Sequence, residues 1–244
     1  MKNKKLLIII ALVIALPLGV LASPFFLALT SSLQKSEIEK CRKLYNAKTQ
    51  KSWERAYELT CSELARNGDG EAQYYVGMIV KDSPKIPDYK AVAYSFFYVA
   101  NENGERGAKR EMEGMKKVMG KRDLSMSYII LGNDSYSNFL RSDMLKKDDE
   151  RSFKFLTMSS DLGSSSSQYN LCLSNSIGFH GSFRFPKNYT EAYKWCYLAN
   201  LDPKISDNEK SQKAFSKLKS LMTQEQIKQG QELAKEWIKK SRFH

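Results

Sequence analysis

The chain has 244 residues, 42% of them hydrophobic, enough to bury the core of one or two ordinary domains. Lys and Arg outnumber Asp and Glu by 39 to 27, a net charge of +12 at pH 7, which favours an acidic partner or an anionic surface. The cations are spread along the chain without a dense block, which argues against a nucleic-acid-binding arm.

In chain order, the first element is a short basic tail, with Lys2, Lys4 and Lys5 and no acid, followed by an apolar run from Leu6 to Leu29. That pattern is an export signal, and it leaves two outcomes open. Pro17-Leu18-Gly19 can end a cleavable signal, with Val20 and Ala22 as the small residues before the cut. Alternatively the run stays as a membrane anchor, since its length as a helix is about 36 Å against a hydrocarbon core of about 30 Å. Residues 1–29 are therefore a signal peptide or signal-anchor helix, and 30–67 form an N-terminal helical hairpin.

Three glycines then act as fixed points: Gly68, Gly104 and Gly163. Each follows a segment with aromatics and leucines at helical spacing: Trp53–Arg66, Tyr89–Asn103 and Asp149–Leu162. Glycine is the usual residue just past a helix end, where the backbone turns to positive φ. Four residues beyond each stands a small residue, Ala72, Ala108 or Ser167, and nine beyond stand Gly77 and Cys172, where two helices must approach closely. A fourth turn falls near Pro203. Steps of 36 and 40 residues suit a two-helix repeat, and the step of 59 between Gly104 and Gly163 suits one carrying an extra helix. Within it, Lys121–Lys147 has no clear assignment, and Leu131-Gly132 belongs either to a full repeat or to an insertion. Thr223 and Gln226 form a capping-box pair, and Ile227, Ala234, Trp237 and Ile238 share one stripe, the pattern of a closing helix over 224–240.

Signals for chemistry are sparse. Of the two histidines, His244 is the last residue and His180 sits in a glycine-flanked loop, Gly178-Phe-His-Gly181, and no phosphate-cradling loop or nucleophile elbow appears. Asp148-Asp149-Glu150 precedes a helix, where acids complement the N-terminal dipole, and Ser164–Ser167 supplies the next N-cap. The short sequons at Asn133 and Asn188 are common by chance. No catalytic residue, metal site or cofactor is assigned, and no small-molecule substrate is expected. Tyr89, Tyr94, Phe97 and Tyr98 exceed what one buried helix face needs, so some pack on the next repeat or line a binding groove.

Gly70-Glu-Ala-Gln-Tyr-Tyr-Val-Gly77 with Asp88-Tyr-Lys-Ala91 and the helix to Ala100 resembles a Sel-one-like repeat, a relative of the tetratricopeptide repeat. Ser167-Gln-Tyr-Asn-Leu-Cys172 with Asn188-Tyr-Thr-Glu-Ala-Tyr-Lys-Trp195 and Ala199 resembles it more closely, and Ile130-Leu-Gly132 with Ser152–Gly163 is a weaker copy. The chain departs from the pattern at Lys81–Pro87, where prolines replace the usual glycines, at Cys172 in place of Gly, and at Asn101 and Asn200 in place of Ala. The resemblance implies an all-α fold, a short right-handed α-solenoid of stacked antiparallel helix pairs over 68–240.

The repeat register also sorts the four cysteines. Cys61 lies seven residues before Gly68 and Cys196 seven before Pro203, with Cys41 and Cys172 preceding them by about one helix and a loop. That pairs Cys41 with Cys61 and Cys172 with Cys196 as disulfides in an oxidising compartment; the alternative is four buried free thiols. The resulting expectation is a non-catalytic scaffold in the periplasm or cell envelope that binds another protein of acidic character. The Leu6–Leu29 run is a possible membrane tether. Competing readings are a binder of anionic lipid or envelope polysaccharide, and an immunity protein against an envelope-acting toxin.

Overall fold

The computed structural model describes residues 24–47, 49, 61–132, 149–181 and 183–241. The chain divides into two compact units, Met1–Ser62 and Glu63–His244. Of the leader, residues 6–23 lie outside the described set, as do 53–60 of the Trp53–Arg66 segment, Asn133 with its sequon, and 133–147 of the unassigned stretch. Among the described residues no helix is long and apolar enough to cross a membrane.

In the first unit, helix α1 (Pro24–Asn46) runs continuously through the boundary expected after Leu29. Ion pairs of Glu37 with Lys40 and of Glu39 with Arg42 follow its exposed side. Cys41 is joined to Cys61 by a disulfide, with Cα atoms 5.5 Å apart and both residues buried.

The second unit is helical apart from one short hairpin. Its helices are α2 (Ser62–Arg66), α3 (Gly70–Lys81), α4 (Tyr89–Glu102), α5 (Arg106–Val118), α6 (Lys121–Gly132), α7 (Asp149–Asp161) and α8 (Ser165–Ile177). Strands β1 (Phe179–His180) and β2 (Phe183–Arg184) follow, then α9 (Tyr189–Ala199), α10 (Pro203–Ser206), α11 (Glu209–Ser220) and α12 (Gln224–Ser241). The three fixed-point glycines all take positive φ, +89° at Gly68, +85° at Gly104 and +93° at Gly163. At each, the amide of the following residue reaches the carbonyl five residues back, as from Asp69 to Leu64, Glu105 to Ala100 and Ser164 to Ser159. That same following residue then caps the next helix: Asp69 accepts from the Ala72 amide, Glu105 from Gly107 and Ser164 from Ser167. One helix is ended and the next started within two residues, so consecutive helices lie side by side.

Helices pack as the pairs α3–α4, α6–α7 and α8–α9, and one internal position recurs in all three. In α3–α4 the ring of Phe97 fills the space where Gly77 lacks a side chain; a Cβ on Gly77 would stand 2.7 Å from it. In α6–α7, Gly132 faces the stem of Phe155, where an added Cβ would stand 3.1 Å from the Phe155 Cβ. In α8–α9 the corresponding residues are Cys172 and Cys196, joined by a disulfide with Cα atoms 5.0 Å apart. The α6–α7 pair resolves the ambiguity at Leu131-Gly132: these residues belong to a full helix pair, with α5 as the extra helix in the long step.

Polar groups at these junctions are partnered. Gln73 donates to the Ala65 carbonyl and Gln168 to that of Ser160, each eight residues back across the turn. A chain of hydroxyls, Ser125 to Ser159 to Ser167 at 2.9 Å each, joins α6, α7 and α8 through the buried crossing. At the C-terminal end the capping box forms as expected, Thr223 and Gln226 bonding each other's amides. Ala234 is buried, and Ile227, Trp237 and Ile238 pack against the core that includes Trp195 and Leu198. Gly230 lies against Tyr193, where a Cβ would stand 2.8 Å from the ring.

Among the described residues one element departs from the all-α expectation. The glycine-flanked loop at His180 is a two-stranded antiparallel hairpin, with Phe179 opposite Arg184 and His180 opposite Phe183. Gly178 (φ +80°) ends α8 and Gly181 (φ +58°) makes the tip, which is why glycines flank it. Helices α5 and α11 bury little: only Ala108 and Met115 of α5, and Ser211 and Leu218 of α11, are buried.

Candidate functional site

The second unit holds two open cavities, one on each side of the β-hairpin where it docks on the first turns of α7. Phe153 is the anchor of that docking. Its ring lies 4.8 Å from Phe185, 5.8 Å from Phe183 and 5.9 Å from His180, centre to centre. The tip glycine, Gly181, sits against the Asp149 carboxylate, close enough that no side chain fits there. A short hairpin with a single pair of strands has little stability of its own, so these side-chain contacts hold it in place.

The larger cavity, about 1020 Å³, is an open groove between α4, the start of α7 and the chain from Phe183 to Asn188. Its apolar wall is Phe153, Phe183 and Phe185, all partly exposed. Its floor carries Arg151, whose guanidinium lies 5.6 Å from the Tyr98 ring centre and 5.8 Å from that of Phe155. An ion pair of 3.0 Å with Glu102 anchors that guanidinium. Lys154, Lys187 and Glu150 complete the charged rim.

Of the four aromatic residues singled out from the sequence, Tyr98 alone lines this groove. Tyr94 and Phe97 are buried, at 1% and 0% exposure. Phe97 fills the gap at Gly77, and Tyr94 is hydrogen-bonded to Tyr128 of α6, so both are packing residues and not a free surface. Burial pushes the Tyr94 hydroxyl up to about 12. Tyr89 is half-buried at the start of α4 and lines neither cavity. The groove's own aromatics, Phe153, Phe183 and Phe185, escaped the sequence reading because they come from two separated segments. Their common signal was the glycine-bounded cluster Gly178–Phe185, which brackets a turn.

The smaller cavity, about 630 Å³, is lined by hydroxyl, amide and imidazole groups of α6, α7, α8 and β1, with Ile177 and Phe179 at its mouth. Here His180 Nε2 lies 3.0 Å from Ser152 Oγ, and its Nδ1 lies 3.4 Å from Ser174 Oγ. Activating a serine requires the imidazole to accept the hydroxyl proton. The Ser152 hydroxyl also donates to the Gly132 carbonyl at the end of α6. Through these contacts the imidazole ties the hairpin to α7 and α8. Among the described residues no group of three His, Cys, Asp or Glu is placed to hold a metal ion.

No protein-family model matches the chain, and no curated protein matches it. One solved structure is similar: a protective antigen present in uropathogenic Escherichia coli strains, displaying an SLR (Sel-one-like repeat) fold. It is 15% identical, with a TM-score of 0.35. The match covers 78% of this chain, and this chain spans 40% of that protein's length.

Proposed function

We propose that this protein is an exported scaffold of Sel-one-like repeats, a short right-handed solenoid that binds another protein in the cell envelope. The observation that carries the reading is the preformed groove against α4 and α7. It is open and amphipathic, and its charged groups are engaged in packing or left at the rim, not arranged around a reaction centre. Such a surface recognises a partner by shape and anchoring side chains and needs no catalytic group. Two disulfides, Cys41–Cys61 and Cys172–Cys196, support an oxidising compartment, and the basic tail with the Leu6–Leu29 run supports export into it. Either a cleaved leader or an anchoring one fits the compartment.

In-cell crosslinking of a tagged full-length protein, followed by mass spectrometry, tests this. One dominant envelope protein should co-purify, and its recovery should fall as salt is raised, because an excess of cations steers association. Recovery of lipid alone would defeat the scaffold reading and favour the second one, a binder of anionic lipid. That second reading has its own observation: α11 and α12 expose Lys210, Lys213, Lys217, Lys219, Lys235 and Lys239. Binding of the purified protein to vesicles containing phosphatidylglycerol, without any added protein, would establish it.

A further inference from the structure

We infer that the groove takes an extended segment of the partner in which an aromatic or branched apolar side chain is flanked by acidic ones. This rests on the scaffold reading above and adds the chemistry of the occupant. The apolar wall of Phe153, Phe183 and Phe185 is already organised, because the hairpin contacts that hold it do not depend on a ligand. A side chain entering against it gains apolar burial without the cost of ordering the wall.

The charged groups give the sign of the partner. Arg151 is already engaged, paired with Glu102 at 3.0 Å and set beside the Tyr98 and Phe155 rings, so the sign is set by the lysines around it. Lys154 and Lys187, both exposed, make no ion pair among the described residues. Against these three cations the groove sets two acids, and Glu102 is spent on Arg151. The remaining acid, Glu150, lies in the first turn of α7, where the helix dipole already stabilises it. The two lysines are thus left for acids of the partner, one on α7 and one on the chain after β2.

A defined peptide tests this apart from capture in cells. Full-length oxidised protein is titrated into a fluorescein-labelled peptide in which Glu alternates with Phe and Leu, read by fluorescence anisotropy. The control peptide has Lys in place of Glu. The acidic peptide should bind at least about tenfold more tightly than the control, and its affinity should fall as salt rises. Lys154→Glu with Lys187→Glu, both on the surface and harmless to the core, should weaken it by about tenfold or more. Asn170→Ala, in the other cavity, should leave it unchanged. Equal binding of the two peptides, or an unchanged affinity in the charge-reversed variant, overturns the inference. If a protein partner is nonetheless captured in cells, the scaffold reading survives that failure. If the peptide behaves as expected and no protein is captured, the groove chemistry stands and the scaffold reading falls.

Discussion

Replacing a glycine by alanine should have opposite effects at two helical positions, and the difference follows from what faces each one. Gly77 and Gly114 both lie inside helices, α3 and α5, where alanine is intrinsically favoured by about 1 kcal/mol. At Gly114 nothing stands within 4 Å of an added Cβ, so Gly114→Ala should stabilise the fold by roughly that amount. At Gly77 the new methyl would meet three atoms of the Phe97 ring at 2.7, 2.8 and 3.1 Å. Phe97 is fully buried and has no open space into which to swing, so the overpacking should cost about 1–3 kcal/mol. The net effect of Gly77→Ala is then between about zero and 2 kcal/mol of destabilisation. Urea unfolding with the disulfides kept oxidised reads both variants as shifts in midpoint at constant slope. Phe97→Leu supplies the check: it opens space at the ring, so in that background Gly77→Ala should be neutral or stabilising, a coupling of about 1 kcal/mol or more. If Gly77→Ala stabilises as Gly114→Ala does, the helices do not meet at this position and the repeat register is wrong.

Removing the Cys172–Cys196 link by a double serine substitution should cost about 3 kcal/mol, given its sequence separation of 24 residues, measured by the same unfolding assay. Cys172→Gly with Cys196→Phe, which copies the packing at Gly77 and Phe97, should recover part of that loss; no recovery would refute the equivalence. Tyr94 predicts an alkaline limit. Its hydroxyl is neutral in the fold up to about 12 but ionises near its ordinary value of 10 when unfolded. The stability it contributes is therefore complete below pH 10 and lost as pH rises through about 12, on the order of 2–3 kcal/mol in all. Ultraviolet titration of the phenolates should show a late-titrating tyrosine that disappears in Tyr94→Phe, and a complete titration near 10 would refute the buried assignment.

What could be read from the sequence was whatever the backbone demands locally. Gly68, Gly104 and Gly163 mark helix ends because positive φ is cheap only for glycine, and each proved to be such a turn. The capping box at Thr223 and Gln226 and the stripe of α12 were legible for the same reason. Helices α5 and α11 were not singled out, although Ala108, Met112, Met115 and Val118 of α5 and Phe215 and Leu218 of α11 stand at helical spacing, because charged residues dominate both stretches. The groove was missed for a different reason. Tyr98, Arg151, Phe153 and Phe183 come together only when the hairpin folds back on α7, and no spacing along the chain encodes that return. The surplus of aromatics in α4 was real, but most of it went inward: Phe97 to the gap at Gly77 and Tyr94 to Tyr128.

The cysteines show how one packing problem has two solutions in this chain. Where two helices of a pair cross closely, one side must be small. At Gly77 the missing side chain admits a phenyl ring, and at Gly132 it admits the stem of Phe155. At Cys172 both residues are small, which would leave a void of the kind that costs stability in a core; the covalent link to Cys196 closes it and limits the unfolded chain as well. Cys61 stands seven residues before Gly68, Phe97 seven before Gly104 and Cys196 seven before Pro203. Cys172 and Cys196 therefore stand where the α3–α4 pair has Gly77 and Phe97. The α8–α9 pair is held by a bond, while the pairs that carry the floor of the groove, through Tyr98 on α4 and Phe155 on α7, are held by side-chain packing. Reduction should therefore loosen the α8–α9 pair before it disturbs the Gly77–Phe97 and Gly132–Phe155 contacts.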